Sequence, residues 1–251
     1  MRREQGRIGI VLQVRLDSSR LPRKALLPLG GRPMILRVME ALDRVPADAR
    51  VLACPEDSAD EFRPLAAEAG FELFAGPKED VLGRYCLAIG HFALDTVIRA
   101  TGDNPFVFAD AAAEITAQAL SLNADYATYG GLPLGGGVEV VSAEALLRAG
   151  DEAKNPSERE HVCPYLYGNP ETFLVHRAIP PRQWQGSDIR LTVDTLEDYR
   201  RAQILHEALD ARRKSTELFS GDRYKGAIII DAYLKAFRGA DRRQTDGPEP
   251  A

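Results

Sequence analysis

Cysteine is scarce in this chain of 251 residues: Cys54, Cys86 and Cys163 are the only three, and they lie far apart. An odd count without a CxxC pair argues against a disulfide framework and against a zinc knuckle. Four histidines are present, none of them in an HExxH pattern. Apolar runs are short, as at Ala227-Ile228-Ile229-Ile230, whereas a membrane helix needs roughly 20 such residues. Positive charge is not in excess either. The net charge of −5 lacks the basic face that binding along a nucleic-acid backbone wants. The first residues, Met1 to Arg7, have no apolar segment or small-residue cleavage site of a signal peptide. A reduced, cytoplasmic protein working on neither membrane nor nucleic acid is expected.

What remains is ordinary globular composition, 45% hydrophobic and 27% charged. Arg7 to Val14 is a short β-rich apolar run of the kind found in buried parallel strands. Residues 15–33 are polar, with glycine and proline, and read as a loop. Ile35, Val38, Met39, Leu42 and Val45 then repeat at helical spacing. Further strands are expected over 50–54, 71–75, 95–101, 125–129, 138–142, 172–179 and 189–193. Helices are expected over 58–69, with Pro64 as a break or kink, and over 79–92, 109–122, 143–153, 158–167, 196–212 and 228–238. Strands alternating with helices over the first 125 residues imply βαβ units and a parallel sheet. Alternation weakens later, so the expected fold is three-layer α/β, with a mostly parallel mixed sheet and a small β-ribbon insertion. Residues 1–238 read as one domain. Residues 239–251, which have almost nothing to bury, read as a disordered tail.

The first loop carries the strongest local signal. Between Gln13 and Arg32 stand five basic residues, Arg15, Arg20, Arg23, Lys24 and Arg32, against one acid, Asp17. The loop follows the first strand, and open parallel sheets bind ligands outside the carboxyl ends of their strands. Guanidinium and ammonium groups hold phosphate oxygens there, with Ser18 and Ser19 adding hydroxyls and backbone N–H groups. The loop is neither a Walker A motif nor GxGxxG. The plainer reading is a solvated basic loop. Two aspartates also end apolar strands: Asp103 in Arg99-Ala100-Thr101-Gly102-Asp103-Asn104-Pro105, and Asp194 in Arg190-Leu191-Thr192-Val193-Asp194-Thr195. Asp194 or Thr195 can instead cap the following helix. Mg2+ is held by one or two carboxylates together with phosphate oxygens and water. Two such aspartates facing a basic loop describe a nucleoside triphosphate–Mg2+ site.

These motifs resemble the CMP-sugar-acid cytidylyltransferases, which include the CMP-Kdo and CMP-sialic acid synthetases. The R-x-x-S-x-R-L-P-x-K loop is followed by glycine and Pro-Met. The spore-coat-polysaccharide branch is the closer likeness. It shares Asp80-Val81-Leu82-x-Arg84-Tyr85, Thr101-Gly102-Asp103-x-Pro105, Glu160-His161-Val162-x-Pro164-Tyr165, and Arg190 to Thr195 with Glu197-Asp198-Tyr199. The resemblance runs from residue 10 to about 200. It implies a Rossmann-like nucleotidyltransferase of the glycosyltransferase-A type, with CTP as donor, an acidic sugar as acceptor, and a homodimer by analogy. Carried over by position, Arg15 and Lys24 hold the triphosphate, assisted by Ser18, Ser19 and Arg20. Asp103 and Asp194 ligate Mg2+, Thr101 lies near the ribose, and Arg84, Glu139 and His161 face the acceptor. The chain departs from the pattern at Arg23, Gly83, Cys163 and Gly137, where the family usually has Gly, Asp, Thr and Asp. Three alternatives fit the same residues: another nucleotide donor, a sugar-phosphate acceptor, or a nucleotide-binding module without turnover. The same side chains also have bland readings: His161 packed at the sheet edge, Glu139 in a surface salt bridge, and Arg84 on a solvated helix face.

Overall fold

The middle of the sheet is set by a strand with two apolar faces. In β1 (Ile8–Gln13), Ile10 and Leu12 enter one core and Val11 the other, the period-2 alternation of a strand covered on both sides. The computed structural model describes residues 6–215 and 222–237. The tail expected over 239–251 lies outside the described residues, as do residues 1–5. After β1 come a small hairpin, β2 (Pro28–Leu29) and β3 (Arg32–Pro33), then α1 (Met34–Leu42), β4 (Ala49–Pro55), α2 (Ala59–Glu68) and β5 (Glu72–Gly76). Next are α3 (Val81–Phe92), β6 (Thr96–Thr101), α4 (Ala109–Leu122), β7 (Tyr126–Tyr129), β8 (Glu139–Ser142) and α5 (Ala143–Glu152). The rest comprises α6 (Pro156–His161), α7 (Pro164–Gly168), β9 (Val175–Ala178), α8 (Leu196–Ser215) and α9 (Gly226–Phe237).

The seven-stranded sheet has the order β5-β4-β1-β6-β8-β7-β9. All its pairings are parallel except the two made by β8, which is antiparallel to β6 and β7. The chain winds outward from β1 through β4 to β5, then crosses back to lay β6 on the other side of β1. That reversal makes the ends of β1 and β6 a topological switch point, where a crevice opens. Helices α1, α2, α4, α8 and α9 cover one face, and α3, α5 and α7 the other, giving the expected three layers.

Several elements differ from expectation. Pro64 lies inside α2 without ending it. The helix expected over 158–167 is split into α6 and α7 at Val162, whose φ of 74° no continuous helix admits. The stretch 189–193 is extended but is not a sheet strand; it makes one isolated bridge, Arg190 to Leu134. The expected β-ribbon, β7 with β8, is built into the main sheet. A second, tiny ribbon, β2 with β3, sits in the stretch read as loop. Its turn is Gly30-Gly31, both at positive φ as a tight two-residue hairpin requires.

Gly30 also makes room for His206 of α8. A Cβ there would lie 2.0 Å from the imidazole Cε1. His206 is 2% exposed. Burial first, then the nearby Arg223 and Arg37, lowers its pKa from 6.5 to about 4, against the opposing pull of Asp210 and Glu40. The folded state therefore holds this imidazole neutral while the unfolded chain protonates it. Stability should fall as pH drops from about 6.5 toward 4, by on the order of 3 kcal/mol from this group, and level off below. Urea midpoints across that range should show a flatter pH dependence in His206→Gln than in the wild type. Equal slopes would remove His206 as the cause.

Candidate active site

The crevice at the switch point is a cleft of about 340 Å³. Gln13 and Thr101, the last residues of β1 and β6, are in register, so the loops leaving both strands open on the same edge. The 15–33 loop supplies Arg15, Ser18, Ser19, Arg20 and Lys24 to the cleft wall, and the turn after β6 supplies Asp103. The loop is closed at its base by the Arg23 N–H donating to the Leu16 carbonyl at 3.1 Å. Arg23 takes a left-handed conformation, φ 55°, a backbone region that favours glycine. Its guanidinium turns away from the cleft to Glu61.

Asp103 and Asp194 converge because the backbone ties their segments together. The Val193 N–H donates to the Asp103 carbonyl at 2.9 Å. Between the two carboxylates stands the Lys24 ammonium, which donates to Asp103 Oδ2 at 2.9 Å, Asp194 Oδ1 at 2.8 Å and the Val193 carbonyl at 2.9 Å. The two carboxylate oxygens are therefore within about 6 Å of each other. Thr101, read as a ribose contact, donates its hydroxyl proton to Asp103 Oδ1 at 2.6 Å. Burial alone would push the Asp194 carboxyl up. The Lys24 hydrogen bond and charge, with the charges of Arg20 and Arg190, outweigh it and hold the group below the usual carboxylate range.

Asp194 is not the helix cap. Thr195 and Asp198 form a reciprocal capping box for α8, Asp198 N–H to Thr195 Oγ1 at 3.2 Å and Thr195 N–H to Asp198 Oδ2 at 3.0 Å. Arg190 bridges the cap to the site. Its Nε donates to Asp198 Oδ1 at 3.0 Å and its Nη2 to Asp194 Oδ2 at 2.6 Å. The Asp194 carboxylate is thus oriented from behind, with its other oxygen turned toward Lys24. Arg190 stands in a quoted motif, yet its role could not be read without the fold.

The opposite wall carries the remaining groups. Arg84 lines the cleft but is 2% exposed, so it is not on a solvated helix face. Its Nη1 donates to the Pro77 carbonyl at 2.8 Å, and no carboxylate pairs with it among the described residues. Burial pulls its pKa down. His161 is exposed at the end of α6 and lines the cleft. The sharp turn at Val162, closed by the Cys163 N–H on the His161 carbonyl at 2.9 Å, puts His161 outside and Cys163 in the core. Glu139 does not line the cleft. It lies directly across from Arg99 in the β6–β8 register, is ion-paired with it, and accepts the Tyr126 hydroxyl proton at 2.7 Å. It is therefore not a surface salt bridge but the counter-charge of Arg99, which does line the cleft. Arg99 was missed; an arginine inside an otherwise apolar strand was the available signal. Glu160, quoted in a motif but given no role, reaches from α6 to the Arg15 guanidinium at 3.4 Å. Every cation of the first loop is paired in this way: Arg20 with Asp194, and Arg32 with Glu40 and Glu68.

A mostly parallel sheet between two helical layers, with a cationic loop and convergent aspartates at its switch point, defines an α/β protein of the nucleotide-binding class. The cytidylyltransferase family profile matches residues 8–221, and the chain belongs to that family of nucleotidyltransferases. The spore coat polysaccharide biosynthesis protein SpsF of Bacillus subtilis is 31% identical over 212 residues, 82% of this chain and 88% of that protein. The 3-deoxy-manno-octulosonate cytidylyltransferase of Leptothrix cholodnii is 33% identical over 117 residues, 43% of this chain and 42% of that enzyme. A cytidylyltransferase structure from Leptospira borgpetersenii superposes with a TM-score of 0.80 at 23% identity, covering 98% of this chain and 99% of that one. The structure of CMP:2-keto-3-deoxy-manno-octonic acid synthetase complexed with CTP gives 0.64 at 16% identity, over 82% and 99% of the two chains. Rv0371c of Mycobacterium tuberculosis in complex with manganese gives 0.58 at 18%, over 78% and 98%. At these identities the structural likenesses establish the shared fold. Among the described residues, no helix is long and apolar enough to cross a membrane.

Proposed function

We propose that this protein transfers a cytidylyl group from CTP to a hydroxyl of an acidic sugar, releasing pyrophosphate, in the assembly of a surface polysaccharide. The observation that carries this reading is the Lys24 ammonium held by Asp103 and Asp194 at the head of a cationic loop. CTP as donor and a sugar acid as acceptor follow the family and the relatives named above. The SpsF likeness supports the polysaccharide context.

Arg15, Arg20 and Lys24 supply charge for the triphosphate, and Ser18 and Ser19 supply hydroxyl and N–H donors. Positioning and charge neutralisation do most of the work in such a transfer. Asp103 and Asp194 fit a divalent cation such as Mg2+. Both are hard oxygen donors open to the cleft, and they already share one positive charge. Among the described residues they are not joined by a third His, Cys, Asp or Glu, so the other positions fall to phosphate oxygens and water. A bound Mg2+ would neutralise charge developing on the α-phosphate. Thr101 and Arg190 fix the two carboxylates in place. Arg84, Arg99 and His161 form the acceptor wall; the buried guanidinium of Arg84 and the partly buried one of Arg99 favour an anionic acceptor.

Pyrophosphate release measured over the four nucleoside triphosphates and a panel of sugar acids tests this directly. CTP with one sugar acid should turn over. CTP at a hundredfold excess over its Kd should also stabilise the fold by about 2.7 kcal/mol. Equal stabilisation by all four nucleotides, with no turnover of any pair, would refute the assignment.

A further inference from the structure

The geometry points to Lys24 as the resident cation of the metal site: in the free protein its ammonium occupies the two carboxylates that a divalent cation would use, and it must leave before the metal enters. This inference rests on the nucleotidyl-transfer reading above.

An ammonium has three N–H donors. Those of Lys24 have three acceptors, Asp103 Oδ2, Asp194 Oδ1 and the Val193 carbonyl, all at 2.8–2.9 Å. None is left for a phosphate. The side chain is only 14% exposed, so its head group is held rather than waving in solvent. Lys24 cannot grip a triphosphate and keep this set of contacts. A cation touching both Asp103 and Asp194 competes with the ammonium for the same two oxygens, and two positive charges in that space repel. The two roles are therefore exclusive in time. Without nucleotide, Lys24 satisfies the aspartates and keeps divalent cations out. The triphosphate offers the ammonium other anionic oxygens, draws it off, and opens the carboxylates to the metal that arrives with it. Metal without nucleotide is excluded, so the site assembles only when both are present. The supports of the two aspartates remain in place through this exchange, because Asp194 Oδ2 is held by Arg190 and Asp103 Oδ1 by Thr101, neither of which involves Lys24.

Nucleotide-free Mn2+ binding, read by the loss of the free-ion electron paramagnetic resonance signal, tests the exchange without any turnover. Lys24→Met and Lys24→Gln are compared with the wild type, with thermal melts confirming the fold of each. Removing the ammonium should tighten Mn2+ binding at least tenfold in either variant. Adding Asp103→Asn to Lys24→Met should abolish the gain, locating it at this pair. Affinity in both variants that is unchanged or weaker than wild type overturns the inference, as does a gain that survives Asp103→Asn. The functional reading is judged separately by pyrophosphate release from wild-type protein. Turnover without a gain in the variants sinks only the exchange, and a gain without turnover sinks only the cytidylyl transfer.

Discussion

Asp103→Asn and Asp194→Asn should each lower kcat by about 10³-fold or more while leaving the urea midpoint nearly unchanged. Removal of a single preorganised electrostatic contact commonly costs 10²–10³ in rate, and each aspartate here holds the Lys24 ammonium in the cleft. Asparagine keeps the shape and one acceptor oxygen but removes the charge. The folds of the variants should survive because the α8 cap is made by Thr195 and Asp198 rather than by Asp194. Arg190 keeps its bond to Asp198 in the Asp194 variant. The double variant should be barely slower than either single one, since both changes disable the same cation site. Losses that multiply, or either variant retaining a tenth of wild-type kcat, would separate the two aspartates and leave one of them without a part in the chemistry.

The second large effect is on stability. Glu139→Ala should destabilise the fold by about 3–5 kcal/mol, because it strands the Arg99 guanidinium in the sheet without its counter-charge. The pair is 13% and 21% exposed, so water can repay little of that loss. Glu139→Gln, which keeps one acceptor oxygen for Arg99 and turns an amide NH2 donor toward the Tyr126 hydroxyl oxygen, should cost distinctly less. Replacing both partners with apolar residues, as in Arg99→Met with Glu139→Leu, should recover most of the stability, since buried ion pairs exchanged for packed hydrophobes are often near neutral. The double variant should nevertheless lose acceptor affinity if Arg99 faces the acceptor. Denaturant melts and acceptor KM separate the two outcomes. A Glu139→Ala loss below about 1 kcal/mol would show that the guanidinium finds another partner.

The contrast between Arg99 and Asp103 shows what a sequence can carry. Asp103 was readable because strand ends in a parallel sheet share an edge, and the turn residues Gly102 and Pro105 mark that end. Arg99 sits two residues inside the same strand, where its worth depends on Glu139 across the ladder. Register between β6 and β8 joins residues forty apart and leaves no local mark, so the pairing of Glu139 with Arg99 could not be read from the sequence. The layers of the sheet were readable for the opposite reason: the apolar runs of β1 and β4, and the alternation of strands with helices, are local properties. The break at Val162 was not, because a β-branched residue at positive φ contradicts local preference. The Gly30-Gly31 turn was in plain view, but strands of two residues fall below any periodic signal.

The pairing of every loop cation with a carboxylate of this same chain has a consequence for how a polyanion approaches. Paired charges cancel beyond roughly a Debye length, about 8 Å at physiological ionic strength. The loop therefore casts little field into solvent, and a triphosphate is not drawn in from afar as it would be by a bare cluster of arginines. Selection happens on contact, by exchange of one anion for another around side chains already held in place. Added salt screens the internal pairs as well as those that replace them, so affinity should respond to ionic strength far less than five basic residues in one loop would suggest.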